Sequence, residues 1–244
     1  MTNDLTYLIT DKYNGDASKI TQEDKDRLAS GEPLAYIIGW VPFLGLKIFL
    51  ESKPLIPRTE TEYWCEKALK EISQTTTRTV RVLDMCAGSG AIGLAVLSHC
   101  PQAVVTFIEI DARHCDQIKA NALANGIDSG RFEIVQSDVF TNAPDHCYDY
   151  ILSNPPYIPQ DRVLDESVKN FEPSLALFSG ADGLAIIRRI FYSIKKYLCN
   201  GGQVWIECDS AHAQEVEAMA RAQSARATLF PDQYGKARYC VAYY

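Results

Sequence analysis

Four consecutive residues, Asn154-Pro155-Pro156-Tyr157, come after an apolar run and combine a side-chain amide, two backbones without donors and an aromatic ring. Proline fixes φ and removes an N–H, so two in succession stop a strand and stiffen the segment after it. The Asn154 side-chain carbonyl and the Pro155 backbone carbonyl then become acceptors held in a fixed relation, and Tyr157 supplies a ring to cover a flat group. Such a set suits a planar –NH2, whether a primary amide or the exocyclic amine of a base. A strand-ending turn with no ligand needs one proline and no aromatic.

A second constellation lies in "VLDMCAGSGAIG", residues 82–93. The loop follows a strand signal and opens a helix, the context in which a glycine loop meets a ligand. Gly88 and Gly90 let a ligand approach the backbone closely. The spacing is not that of a phosphate-cradling loop, and Cys86 stands where a dinucleotide fingerprint has its first glycine. Asp84, at the strand end, would repel a pyrophosphate and suits a cation. Glu109, at the tip of the next strand, suits the hydroxyls of a ribose, with Asp111 one step later in the loop. After the third strand, Asp138 can accept from an adenine amino group, with Val139 and Phe140 offering apolar contact to the ring. Asp84 and Glu109 across a glycine turn describe a nucleoside with a positively charged tail, which is the character of S-adenosylmethionine. The chemistry that joins the two constellations is methyl transfer to a clamped nitrogen, with acceptors on both N–H bonds favouring the charge that grows there. No residue stands out as a general base. His99, His114, His146 and His212 are isolated, no zinc spacing is present, and no metal is expected.

These side chains need strands that end together. "VRVLD" (80–84), "AVVTFIEID" (103–111), "RFEIV" (131–135), "YDYILS" (148–153) and "QVWIEC" (203–208) read as strands, with "ARATLF" and "ARYCVAYY" as a final pair. Helices are expected over "AIGLAVLSH", "ARHCDQIKANALANG", "GLAIIRRIFYSIKKYLCNGG" and "AHAQEVEAMARAQ". Alternation of this kind predicts an α/β fold: a Rossmann-like, seven-stranded, mostly parallel sheet with helices on both faces. Ahead of it, Thr21 and Asp24 mark a capping box on a short helix ended by Gly31 and Pro33. "LAYIIGWVPFLGLKIFLESKPLIPRTET" predicts short strands or a hairpin, a helix follows from Thr61 to Ser73, and "QTTTRT" is a polar spacer.

The chain has 244 residues, 47% hydrophobic and 23% charged, with a formal net charge of −7. That balance argues against broad duplex binding, which depends on neutralising phosphates. Arg188, Arg189, Lys195 and Lys196 can still form a local basic patch. Eight cysteines are spread without a CxxC pair, several in apolar runs, so reduced thiols and a cytoplasmic setting are expected. No secretion-type segment opens the chain and no apolar run reaches spanning length.

At "EPLAYIIG", "LIPRTETE", "VLDMCAGSGAIGLA", "SDVF", "YILSNPPYI", "EPSLALFSGADGL" and "GKARYCVAYY" the chain resembles the peptide chain release factor N5-glutamine methyltransferases, within the class I methyltransferases. The likeness covers about residues 32 to 244. It implies S-adenosylmethionine as methyl donor and the glutamine of a release factor's Gly-Gly-Gln loop as acceptor. The family's cofactor segment falls on Cys86, Ala87, Gly88, Ser89 and Gly90, its ribose acid on Glu109 and its adenine side on Val139. Its catalytic and substrate clamp falls on Asn154, Pro155, Pro156 and Tyr157, with Asn154 also beside the cofactor. Arg58 and Glu60 of the "PRTET" loop become candidate substrate contacts. Cys86 departs from the family's glycine, and Glu109 stands where Asp is common. The implied organisation is a shortened N-terminal helical region over 1–31, a hairpin and linker over 32–60 that contributes to the substrate cleft, and the methyltransferase domain over 61–244. A monomer is expected, with no stable nucleic-acid or membrane binding. Other readings are glutamine methylation of a ribosomal protein, N6-adenine methylation of DNA, and a cofactor-binding regulatory module.

Overall fold

Thr21 begins the first element that the sequence specifies in detail. The computed structural model describes residues 3–75 and 77–244, so Met1 and Thr2 of the opening segment and Thr76 of the expected spacer lie outside the described residues. After α1 (Asn3–Tyr13), the Thr21 side chain accepts from the Asp24 N–H and the Asp24 carboxylate accepts from the Thr21 N–H, closing the capping box of α2 (Gln22–Ala29). Buried Asp24 also accepts from Lys12 and Tyr13 of α1, which joins the two helices. The segment "LAYII" departs from the extended conformation expected of it and forms α3 (Leu34–Ile38). Pro33 starts this single turn and Gly39, at φ +91°, ends it. A turn so short leaves no periodicity to read.

The expected hairpin follows as β1 (Trp40–Phe43) and β2 (Leu46–Phe49). Leu44 and Gly45 both have positive φ, the mirror-image turn that matches strand twist. Leucine rarely adopts that conformation; its N–H is held by the Glu62 carboxylate at 2.6 Å. Glu62 lies on α4 (Thr59–Ile72), which buries Thr61, Trp64, Cys65, Ala68, Leu69 and Ile72 at helical spacing.

The alternating region then gives β3 (Val80–Met85), α5 (Ala91–His99), β4 (Ala103–Glu109), α6 (Ala112–Ala124), β5 (Phe132–Gln136) and β6 (Tyr148–Ser153). Short helices α7 (Glu166–Phe171) and α8 (Ser174–Leu177) precede α9 (Ala185–Ser193) and β7 (Leu198–Glu207). The chain closes with α10 (Ala213–Gln223), β8 (Arg226–Pro231) and β9 (Ala237–Tyr243). The sheet has seven strands in the order β5-β4-β3-β6-β7-β9-β8, parallel except for β9, which lies antiparallel between β7 and β8. Successive strand residues feed opposite faces: Val82 joins the core under α4, α5 and α6, while Leu83 joins the core under α9 and α10.

One further expectation is corrected by the fold. The helix read over 183–202 ends at Ser193, and "LCNGG" belongs to β7. Gly201, at φ +81°, accompanies a register shift against β6, so the glycine pair serves a bulge rather than a helix stop. Two of the cysteines are neighbours in space: the Cα atoms of Cys147 and Cys199 are 5.0 Å apart. They lie where β6 and β7 start side by side, a neighbourhood that their 52-residue separation conceals. Among the described residues no helix is long and apolar enough to cross a membrane.

Candidate active site

Because β4, β3, β6 and β7 are neighbours and all parallel, their carboxyl ends open on one side of the sheet. That edge, where connections leave in opposite directions, is where ligands of open α/β sheets gather. Asp84, near the end of β3, is fully buried beneath the glycine loop. One of its oxygens accepts from the Gly93 N–H at 2.8 Å, tying the strand to the first turn of α5; the other has no partner. Burial pushes its carboxyl up to about 8, against the Gly93 bond, with the Glu109 charge adding to the rise. Gly93 has to be glycine, since a Cβ there would stand 2.3 Å from the Phe107 ring.

The loop itself turns through left-handed conformations at Cys86 (φ +62°), Gly88 (+56°) and Gly90 (+81°). Cys86 therefore occupies a conformation that glycine adopts more easily, which is why a glycine is expected at this position. Glu109, buried at the tip of β4, accepts from the Gly88 N–H at 2.7 Å and from the Asp111 N–H at 2.9 Å. Each oxygen keeps lone-pair capacity for a further donor. Asp111 caps α6 instead and pairs with Arg113, which holds its carboxyl down at about 2. Ser89 is buried, and its carbonyl accepts from Asn121 of α6. Asn121 also bonds both backbone groups of Phe49, so one amide fastens the hairpin to the glycine loop. Val139 is buried with φ +51°, whereas Asp138 is exposed and its carboxylate accepts from Arg189 at 2.9 Å.

The clamp residues follow β6. Asn154 donates its Nδ2–H to the Thr61 hydroxyl at 3.0 Å, and among the described residues no donor reaches its Oδ1. Pro155 and Pro156 are buried. Tyr157 donates its hydroxyl to Glu207 at 3.0 Å. Glu207, at the end of β7, is 1% exposed and also accepts from Thr61 and from the Trp64 indole, each at 2.7 Å. Burial raises its carboxyl above the usual range, and those three donors oppose the rise. Burial and the Glu207 charge raise the Tyr157 phenol in turn, so it stays a donor. The turn "ADG" backs the clamp: a Cβ on Gly183 (φ +77°) would stand 2.4 Å from the Tyr157 carbonyl oxygen. Backbone bonds from Ile158 and Gln160 to Leu177 and Gly180, and from Ser179 to Ile158, hold the segment after Tyr157.

The structure thus joins Gly88 with Glu109, and Asn154 with Tyr157 through shared partners. Arg58 meets the buried Glu172 at 2.6 Å, linking "PRTET" to "EPSLAL", while half-buried Glu60 accepts from Thr59. Sequence reasoning missed Thr61, Trp64 and Glu207. Glu207 was open to the rule that found Asp84 and Glu109, an acid ending a buried strand; Thr61 looked only like the start of a helix.

A cavity of about 840 Å³ lies away from the clamp, between Val139–Thr141 and α9. The basic residues around it are largely paired: Arg188 with Asp182, Arg189 with Asp138 and Lys196 with Asp145.

Two features fit a cationic nucleoside at the glycine loop: the unpartnered buried oxygen of Asp84, and the open space where a Gly88 side chain would stand. Comparisons with known proteins give the fold and the family. The "Methyltransferase small domain" family model matches residues 67–172. A T. thermophilus 16S rRNA N2 G1207 methyltransferase, solved with AdoMet and guanosine, shares the fold with a TM-score of 0.59 at 16% identity, over 84% of this chain and 49% of that one. Release factor glutamine methyltransferases from Francisella tularensis subsp. tularensis (36% identical; 88% of this chain, 76% of the relative) and Streptococcus pneumoniae (36%; 91% and 81%) match far more closely in sequence. A strand-end acid pair around a glycine turn, facing a braced Asn-Pro-Pro-Tyr, thus occurs in a chain more than a third identical to these enzymes over most of both lengths. It is an S-adenosylmethionine-dependent methyltransferase and belongs to the release factor glutamine methyltransferase family.

Proposed function

We propose that this chain methylates the side-chain amide nitrogen, N5, of the glutamine in the Gly-Gly-Gln motif of peptide chain release factors. One observation carries the reading: Asn154 spends its N–H on Thr61, which leaves its Oδ1 to accept. S-adenosylmethionine, when bound, supplies a methyl group activated by its sulfonium. Glu109 has acceptor capacity for the ribose hydroxyls, Asp84 keeps an unpartnered oxygen beneath the loop whose ionisation a bound cation would favour, and Val139 adds apolar surface. Cys86, Ala87, Gly88, Ser89 and Gly90 form the backbone against which the cofactor lies. Asn154 Oδ1 and the Pro155 carbonyl accept the two N–H bonds of the glutamine amide. An amide nitrogen is a poor nucleophile because its lone pair is delocalised; two fixed acceptors return density to it and favour the positive charge that develops. Tyr157, fixed by Glu207, covers the flat group, and Pro156 keeps the segment rigid.

In this reading residues 32–60 border the substrate side, with Arg58 and Glu60 nearest the partner. Residues 61–244 carry the cofactor, and the helices within 1–31 help grip the release factor. The enzyme acts as a monomer and has no stable affinity for nucleic acid or membranes.

The test is incubation with labelled S-adenosylmethionine and three acceptors: release factor, ribosomal proteins and DNA. Label is expected on the Gly-Gly-Gln peptide; label confined to adenine or to a ribosomal protein overturns the assignment. Asn154→Ala is expected to cut kcat on the order of 10²-fold, the worth of one charged hydrogen bond, while cofactor affinity changes little. Equal losses in both would remove Asn154 from the methyl-transfer step.

A further inference from the structure

The clamp amide has two ways round, and only one serves methyl transfer to a glutamine. With its oxygen in the cleft, Asn154 accepts from the substrate N–H; with its nitrogen there, N–H would meet N–H. We infer that Glu207, acting through Thr61, is the positioning residue that turns the Asn154 carbonyl toward the substrate nitrogen. The inference rests on the methyl-transfer reading.

The direction follows from a donor that cannot be reversed. An indole N–H only donates, and Trp64 donates to Glu207 Oε2 at 2.7 Å, so this oxygen accepts whatever the charge on the carboxyl. Thr61 has a single hydroxyl proton and lies 2.7 Å from the same oxygen, where it donates. Its oxygen then has only lone pairs to offer, so the group 3.0 Å away must be a donor, the Nδ2 of Asn154. Turning the amide over would set its oxygen against a hydroxyl whose proton is already committed. Either two acceptors would face each other, or Thr61 would abandon Glu207. Glu207 cannot rotate to compensate, because Tyr157 holds its other oxygen at 3.0 Å. At 1% exposure, it has no room for water to replace a lost partner. Donors therefore run one way, from Asn154 to Thr61 to Glu207, and donation from the amide nitrogen enriches the oxygen left in the cleft. The three residues come from the end of β6, α4 and β7, so the amide is oriented only once the sheet and its covering helix have assembled.

Thr61→Val keeps the branched shape and removes the hydroxyl. Its kcat is expected to fall roughly 10- to 100-fold, the loss of one charge-linked hydrogen bond. The KM for release factor and the affinity for S-adenosylmethionine should stay within about threefold, since the lost interaction acts on the transition state. Thr61→Ser should recover most of the activity. Glu207→Gln is expected to lose activity in the same way, with its melting curve recorded beside the rate. Wild-type kcat in Thr61→Val, or a serine variant as slow as the valine one, overturns the inference.

A second readout needs no methyl acceptor. The Asn154 side-chain 15N–1H signals, identified by their absence in Asn154→Ala, should shift and exchange faster in Thr61→Val but not in Thr61→Ser. Unmoved signals overturn the relay even if release factor is methylated. Moved signals with no label on any glutamine sustain the relay and sink the substrate reading.

Discussion

Asp84 shows how much one buried residue can carry. Its carboxyl is neutral over a wide pH range because water is excluded from it, and its single bond to the Gly93 N–H only partly offsets that burial. Folding therefore favours its protonated form, since the folded pKa of about 8 lies above the ordinary value of 3.8. A group raised in this way contributes its full stability below the unfolded pKa, and the contribution is lost as pH rises through the folded pKa. Asp84→Asn keeps an acceptor for Gly93 and cannot ionise. Melting temperatures of the two proteins should be nearest each other at about pH 4, diverge in favour of the asparagine variant up to about pH 8, and run parallel above it. A difference between the two proteins that stayed constant from about pH 5 to 8 would show that Asp84 is ionised in the fold. At this scale the sequence was informative for Asp84, Glu109 and Asn154, because acids and amides at strand ends advertise themselves. Thr61 was not legible: its meaning depends on a carboxylate 146 positions away.

Gly183 makes the corresponding point about elements. The stretch from 158 to 180 does not read as regular structure, yet it folds back so that Ile158 and Phe178 form a bridge, and the turn containing Gly183 closes against the clamp. The close approach to the Tyr157 carbonyl, not the turn alone, requires glycine there. Gly183→Ala brings a backbone clash as well as a left-handed alanine, with an expected cost of about 1–3 kcal/mol of stability. Because the atom struck belongs to Tyr157, kcat should fall in protein that is still folded by circular dichroism. Full activity at a lowered melting temperature would show that the turn supports the fold without setting the clamp. Elements with clear patterns were legible in the sequence: α4 buries one face at helical spacing, and β3 is a short apolar run buried on both faces. Shorter or mixed ones were not. "LAYII" is one turn long, and "LCNGG" loses its helical pattern to a strand whose pairing with β6 is set elsewhere in the chain.

For the molecule as a whole, the balance of charge argues against non-specific duplex binding. The net charge of −7 repels a polyanion at long range. The cluster on and after α9 does not reverse this locally, since Arg188, Arg189 and Lys196 each face an aspartate. Counterion release, the main drive for non-specific duplex binding, needs cations free to meet phosphates. Exposed pairs of this kind are screened by solvent and contribute little to stability, so removing their acids should not unfold the protein. Fluorescence anisotropy with a labelled duplex at about 0.15 M salt, where charges further apart than ~8 Å are screened, should therefore show no saturable binding by the wild type. Asp145→Asn with Asp182→Asn frees Lys196 and Arg188, and should bring weak binding that disappears as salt rises. Tight binding by the wild type with a steep salt dependence would place a polyanion among its partners. Absence of binding by both would show that the two aspartates are not what keeps this surface from nucleic acid.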